Sequence, residues 1–269
     1  MFKIIRRLLI FLVIILVGLA YYQNIYLANK KKSQIKLIPR PEKVITIIEG
    51  WNVNQIDKYL SQEGIIIDQK IADFKVSDYL SDYSFLTDAP ANYDLEGYLF
   101  PDTYRIFAST TADEIVRKML DNFESKVSSE MMIEISKQKK TLPQIITMAS
   151  IVEKEVTSSN DMKIVSGIFW DRIKNGQALE SCATLAYILG ENKAQYTYED
   201  TRIVSPYNTY LNRGLPPGPI ANPGLNAIVG AIYPTKTNYN YFLSRPDTKE
   251  TIFSATYSEH TANKQKYLK

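Results

Sequence analysis

The chain has 269 residues, 45% hydrophobic and 23% charged, with 32 Lys and Arg against 29 Asp and Glu and a formal net charge of +3. That length and apolar content suffice for a buried core and exclude a disordered chain, and so mild a charge with no basic, aromatic-interleaved patch argues against a nucleic-acid partner. The single cysteine, Cys182, excludes an intramolecular disulfide and the single histidine, His260, a multi-histidine zinc site; carboxylate chemistry remains, with tyrosines and tryptophans as faces for stacking sugars and no metal or organic cofactor expected.

The N-terminus reads as a short basic tail, residues 1–7 with Lys3, Arg6 and Arg7, then an apolar run over residues 8–27. About 20 such residues cross a bilayer as a helix. Gly18 and Ala20 would also suit cleavage of a signal peptide, but Tyr21, Tyr22 and Tyr26 resemble an interfacial belt, so an uncleaved anchor is expected. Lys30, Lys31 and Lys32 balance the basic tail, so charge does not set the topology. The short end is placed in the cytoplasm and the large domain outside. Residues 28–43, polar with two prolines, read as a stalk.

Val44–Ile48 reads as a strand, Asn52 or Asn54 as a helix cap before Ile56, Tyr59 and Leu60, Gly64 as the helix end and Ile65–Ile67 as a returning strand. Residues 44–92 thus resemble a small LysM-like α/β subdomain, with a docking module lacking glycan affinity as the alternative. From there to residue 269 a mainly helical domain with long structured loops is expected, for an overall α+β class. "NYDLEGYLFPDTYRI" reads as loop, Thr111 opens a helix, and Thr141 and Gln144 have capping-box spacing before another. Asp161 reads as the cap of a helix ending at Asn175 and Gly176, and a short helix over Ala183–Leu189 stops at Gly190. "SPYNTYLNRGLPPGPIANPG" is too rich in proline and glycine for regular structure.

The helix opened by Thr141 ends in "ITMASIVEKEV", with Glu153 and Glu155 inside an apolar run. Residues two apart lie roughly 200° apart on a helix, so the two carboxyls cannot face one another. Leu142, Ile145, Ile146, Ala149, Val152 and Val156 make the expected buried stripe with Glu153 inside it. Glu155 falls at its edge beside Met148 and Ile151, and Lys154 points to solvent. A carboxyl at such a border is partly desolvated and stays protonated toward neutrality, as a general acid for glycoside cleavage must. Pairing with Lys or Arg, or with backbone amides at a neighbouring helix end, is the alternative for both glutamates.

"EGYLFPDTY" (96–104), "MASIVEKE" (148–155), "SPYNTYLNRGLPPGPIANPG" (205–224) and "SEHTANKQKYL" (258–268) occur in one order. Together they resemble the MltG/YceG-type endolytic murein transglycosylases, bitopic membrane enzymes of bacterial cell-wall synthesis, over nearly all of residues 44–269 plus the anchor. The resemblance implies cleavage of the β-1,4 bond between N-acetylmuramic acid and N-acetylglucosamine in nascent peptidoglycan, with 1,6-anhydro ends and termination of glycan elongation. It implies Glu155, the second glutamate of Glu-Lys-Glu, as the catalytic residue, with Glu153 beside it positioning the helix. Asn208 is a candidate for the N-acetyl group or the developing cation, Tyr207 and Tyr210 for stacking sugar rings, and Glu96 and Asp102 for sugar hydroxyls. Packing by the tyrosines, and capping or turn formation by Glu96 and Asp102, are the alternatives. His260 is expected to be structural and Cys182 a small core residue. Penicillin-binding synthases and elongation proteins are implied as partners in the bacterial cell membrane. Two departures stand out: Cys182, Ala183 and Thr184 replace the usual Asp-Pro-Thr, and the region before the glutamates is short. A water-using muramidase and a catalytically silent glycan-binding scaffold are the rival functions.

Overall fold

A computed structural model of the chain describes residues 2–33, 42–65, 69–107, 109–193 and 195–268, in two compact units, Met1–Pro41 and Glu42–Lys269.

The first unit is one helix, α1 (Phe2–Ser33). Within it Ile4–Leu27, 24 residues of mean hydropathy 2.4, is long and apolar enough to cross a membrane, and Phe11, Leu12, Leu16 and Tyr22 stand exposed along it. The expected stalk begins instead as the last turns of α1, since Lys is a good helix former; residues 34–41 lie outside the described residues.

The second unit is mixed α and β. Strand β1 (Glu42–Thr46) pairs antiparallel with β2 (Thr103–Phe107), Ile45 opposite Tyr104. Ile45, Ile47, Tyr104 and Ile106 are buried, the period-2 pattern of a sheet with one covered face. β2 falls in the stretch expected to be loop; five residues after a proline are too few to reveal alternation without the partner strand. Helix α2 (Val53–Gln62) starts at Asn52 with a capping box to Gln55, and Gly64, at φ +66°, follows its end. Residues 66–68, most of the expected returning strand, lie outside the described residues, and single 3₁₀ turns fill much of 71–86. A LysM-like subdomain is therefore not confirmed.

Helices α3 (Ala112–Lys126) and α5 (Leu142–Glu155) carry the capping boxes expected at Thr111 and Thr141. Between them lies α4 (Ser129–Lys137), capped by Ser128. For α6 (Ser159–Lys174) the cap is Ser158; Asp161 sits in the first turn and its amide donates to the Ser158 hydroxyl, leaving the carboxylate to favour the helix dipole. α7 (Cys182–Leu189) ends at left-handed Gly190 as expected. The 205–224 segment is irregular throughout and leads into α8 (Leu225–Ile232). A hairpin of β3 (Tyr241–Ser244) and β4 (Thr251–Ser254) precedes α9 (Tyr257–Tyr267).

α5 packs against α4, α6, α7 and α8. Every residue from Ile145 to Val152 is buried, so the single apolar stripe becomes a helix enclosed on all sides, with Thr147 and Ser150 satisfied by backbone carbonyls of their own helix. Gly97, at φ +90°, fits against Ile146 and Pro219 where any Cβ would overlap both. That close approach seats the 96–104 motif on α5 and on the proline-rich loop.

Candidate active site

Glu155 closes α5, and Val156 turns extended behind it. The chain returns to this carboxyl 26 residues later: the Ser181 hydroxyl donates to Glu155 Oε1, and the Ala183 amide also reaches it. The carboxyl is half-buried, and that burial raises its pKa above the ordinary value against the pull of Ser181, Ala183 and Arg172.

The donors are held by buried hydroxyls. The Ser181 amide donates to Thr209 Oγ1 at 3.1 Å, Thr184 Oγ1 donates to the Ser181 carbonyl at 2.8 Å, and the two threonine hydroxyls lie 3.0 Å apart. Ser181, Thr184 and Thr209 are all buried, so each missing bond would leave a costly orphan. Glu180, just before, has φ +52° and is tied by its amide to the Thr209 carbonyl at 3.1 Å. A left-handed non-glycine residue costs roughly 1–2 kcal/mol, sustained here by the bonds around it.

In front of Glu155 is a cavity of about 400 Å³ whose wall includes Arg172, Cys182, Tyr210, Tyr241 and His260. The Arg172 guanidinium donates to the Leu179 carbonyl at 2.5 Å and the Asn240 carbonyl at 2.7 Å. Cys182 is not the small core residue expected: its thiol is in the wall, 3.1 Å from the Tyr210 hydroxyl, because it is the first residue of α7 at the cavity rim. His260 stacks on Tyr241 with centroids 5.2 Å apart, and its Nδ1 is buried without a partner among the described residues. Burial, then Lys264 and Arg172, lower its pKa below the ordinary histidine value. Among the described residues no group of three or more His, Cys, Asp or Glu side chains is placed to hold a metal.

Of the other candidates, only Tyr210 joins Glu155 at this cavity. Glu153 accepts the Gly224 amide at 3.0 Å at the start of α8, and burial, with Glu49 nearby, raises its pKa to about 7. Glu96 is buried, accepting from the Val53 amide at 3.0 Å and from Asn222 Nδ2 at 2.9 Å, and its pKa lies well above the ordinary value because of that burial. Asp102 accepts from the Thr103 amide and Asn122, which lower its pKa, and sits at the start of β2. Asn208 is fully buried, donating to the Thr201 and Ile203 carbonyls and accepting from the Tyr210 amide. Tyr207 packs on Tyr187, centroids 5.1 Å apart. Lys154 is exposed as expected, with its ammonium on the Gly50 carbonyl.

Reading the sequence did not single out Ser181, Thr209, Arg172 or Glu180. Ser181 had one available signal, its place before an apolar run that could be a helix start; nothing local marks the other three.

The fold and this site define a class in which a half-buried glutamate at a helix end opens on a cleft walled by α6, α7, β3 and α9, with Tyr210 from the Pro/Gly loop. The chain belongs to the YceG-like family, whose model matches residues 23–266. It is 34% identical over 240 residues to the endolytic murein transglycosylase of Bacillus subtilis strain 168, covering 83% of this chain and 65% of that protein. To the endolytic murein transglycosylase of Streptococcus pneumoniae serotype 2 strain D39 it is 32% identical, covering 81% of this chain and 43% of that one. The chain thus spans less than two thirds of the length of these relatives. The crystal structure of a putative YceG-like protein from Listeria monocytogenes superposes with a TM-score of 0.67 at 34% identity, over 82% of this chain and 75% of that one.

Proposed function

We propose that this protein is a membrane-anchored endolytic transglycosylase that cuts nascent peptidoglycan strands between N-acetylmuramic acid and N-acetylglucosamine. The observation that carries the reading is Glu155: one carboxyl with a raised pKa, fixed by Ser181 and Ala183 and open to a sugar-sized cavity. The relatives named endolytic murein transglycosylases support the substrate and reaction class.

Neutral Glu155 donates its proton to the glycosidic oxygen as the bond to C1 breaks. The muramoyl C6 hydroxyl then attacks C1, and its proton passes to the Glu155 carboxylate, restoring the acid and leaving a 1,6-anhydro end. No water is consumed, so one carboxyl suffices. Ser181 and Ala183 donate to the carboxyl and hold it steady through both proton transfers. Tyr210 and Tyr241 offer ring faces to the sugar. α1 anchors the domain on the outer side of the bacterial cell membrane, close to newly made strands, where synthases and elongation proteins are its expected neighbours.

A second reading, water attack as in a muramidase, draws on Glu180, a further carboxylate lining the same cavity. Mass spectrometry of peptidoglycan digested by the full chain in detergent separates the two. Anhydro ends, lost in Glu155→Gln, are the expected result; reducing ends would select the muramidase, and no cleavage by the folded protein would select a silent glycan-binding subunit.

A further inference from the structure

A second cavity, about 650 Å³, adjoins that of Glu155 and shares Arg172, Glu180, Tyr210 and Tyr241 with it. Its own lining adds Gln177, Arg213 and Asn240, so it is polar where the first is mixed. Arg213 is exposed and has no carboxylate within ion-pair distance among the described residues. Its backbone is nevertheless held on both sides. The preceding Asn212 side chain donates to the Ser205 carbonyl at 2.8 Å and the Asn208 carbonyl at 3.0 Å, and Gly214 turns the chain at φ +86°.

Arg172 spends its donors on carbonyls and has no carboxylate within ion-pair distance among the described residues, while Glu180 and Glu155 lie near enough to act on its charge. Glu180 lines both cavities, whereas Arg213 lines only the second. Arg213 is therefore the charged side chain that the second cavity does not share with the first. A neutral N-acetylated sugar ring gives a guanidinium nothing to pair with, but a carboxylate does, with two parallel hydrogen bonds.

Resting on the substrate proposed above, we infer that this second cavity is a subsite for a carboxylate carried on the muramoyl substituent, with Arg213 as its specificity determinant. In a peptide-bearing strand the lactyl carboxyl is tied up as an amide, so the carboxylate in question is one carried by the stem peptide.

The test uses the full chain in detergent with three substrates: peptide-bearing uncrosslinked strands, strands stripped of peptide by an amidase, and peptide-bearing strands whose carboxylates are converted to methylamides. The wild type should prefer peptide-bearing over methylamidated strands by about tenfold in kcat/KM, mainly through KM, the size expected of one charge-assisted contact near the surface. Arg213→Gln should erase that preference and Arg213→Lys should keep part of it. Stripped strands should also be cleaved more poorly than peptide-bearing ones by the wild type; stripped strands cleaved as well or better would take the contact away from the stem and overturn the proposal. Equal cleavage of charged and methylamidated strands by the wild type, or an undiminished preference in Arg213→Gln, overturns it. Should the wild type cleave nothing, fluorescence anisotropy with labelled strands and the Glu155→Gln protein, with and without Arg213→Gln, decides by the same criteria, separating this failure from failure of the catalytic reading.

Discussion

Glu153 and Glu155 leave the same turn of α5 roughly 200° apart and enter two different regions. On the Glu153 side, carboxylates and an amide side chain are consumed by helix starts and turns. Glu153 caps α8, Glu96 takes the first amide of α2, and Asn222 bonds Glu96, the Trp51 carbonyl and the amides of Gly97 and Leu99. On the Glu155 side, a hydroxyl and an amide hold a carboxyl that still opens on a cavity. The lesson is that a raised pKa alone does not mark a catalytic acid. Burial raises all three carboxyls, and what separates Glu155 is the space in front of it.

The sharpest way to break this contrast is Glu155→Gln. We expect cleavage to fall by about a thousandfold, within the range for loss of a general acid, with a melting temperature no lower than the wild type's. A large loss of stability with residual cleavage would put Glu155 on the structural side. Asn222→Ala should do the reverse: it orphans buried groups on both sides of the loop and should cost roughly 3 kcal/mol in chemical denaturation.

pH sharpens the contrast further. Glu153 in the folded protein titrates at about 7, above its unfolded value. Its contribution to stability is thus fully present below its unfolded value of about 4.5 and is lost as pH rises from there through 7, by about 3 kcal/mol. Glu153→Gln should flatten that part of the stability profile while still accepting the Gly224 amide. The activity profile answers to the other glutamate. kcat/KM should fall as pH rises through the raised pKa of Glu155, since only the protonated acid can donate. Ser181→Ala removes a donor to the ionised carboxylate, so this descending limb should move to higher pH, with a rate loss of a few fold; an unmoved limb would deny Ser181 its role.

The parts of the structure legible in the sequence are those whose cause is local. The capping boxes at Thr111 and Thr141, the Gly190 stop and the irregular 205–224 loop each depend on residues within a turn of one another. Glu155 was legible from its place on a wheel together with the motif around it. Strand β2 was not, because its pattern becomes meaningful only opposite β1. The contact of Ser181 with Glu155 spans 26 residues and Asn222 bonds Glu96 across 126, separations that no local pattern encodes. Cys182 misled for a different reason: seven apolar or hydroxyl residues follow it in α7, yet a helix's first residue can lie at a cavity rim while the rest packs inward.

Asn222 also carries a consequence for how the chain comes together in time. The Gly97 amide waits for a partner 125 residues further along, and the Trp51 carbonyl for one 171 residues further. Until that asparagine has emerged from the ribosome, the junction of β1, α2 and the 96–104 turn lacks the side chain that ties the Trp51 carbonyl, Glu96 and the Gly97 and Leu99 amides together. Folding should therefore be late, slow and all-or-none for this unit, and a chain ending before residue 222 should remain open and exposed to proteases however long it is given.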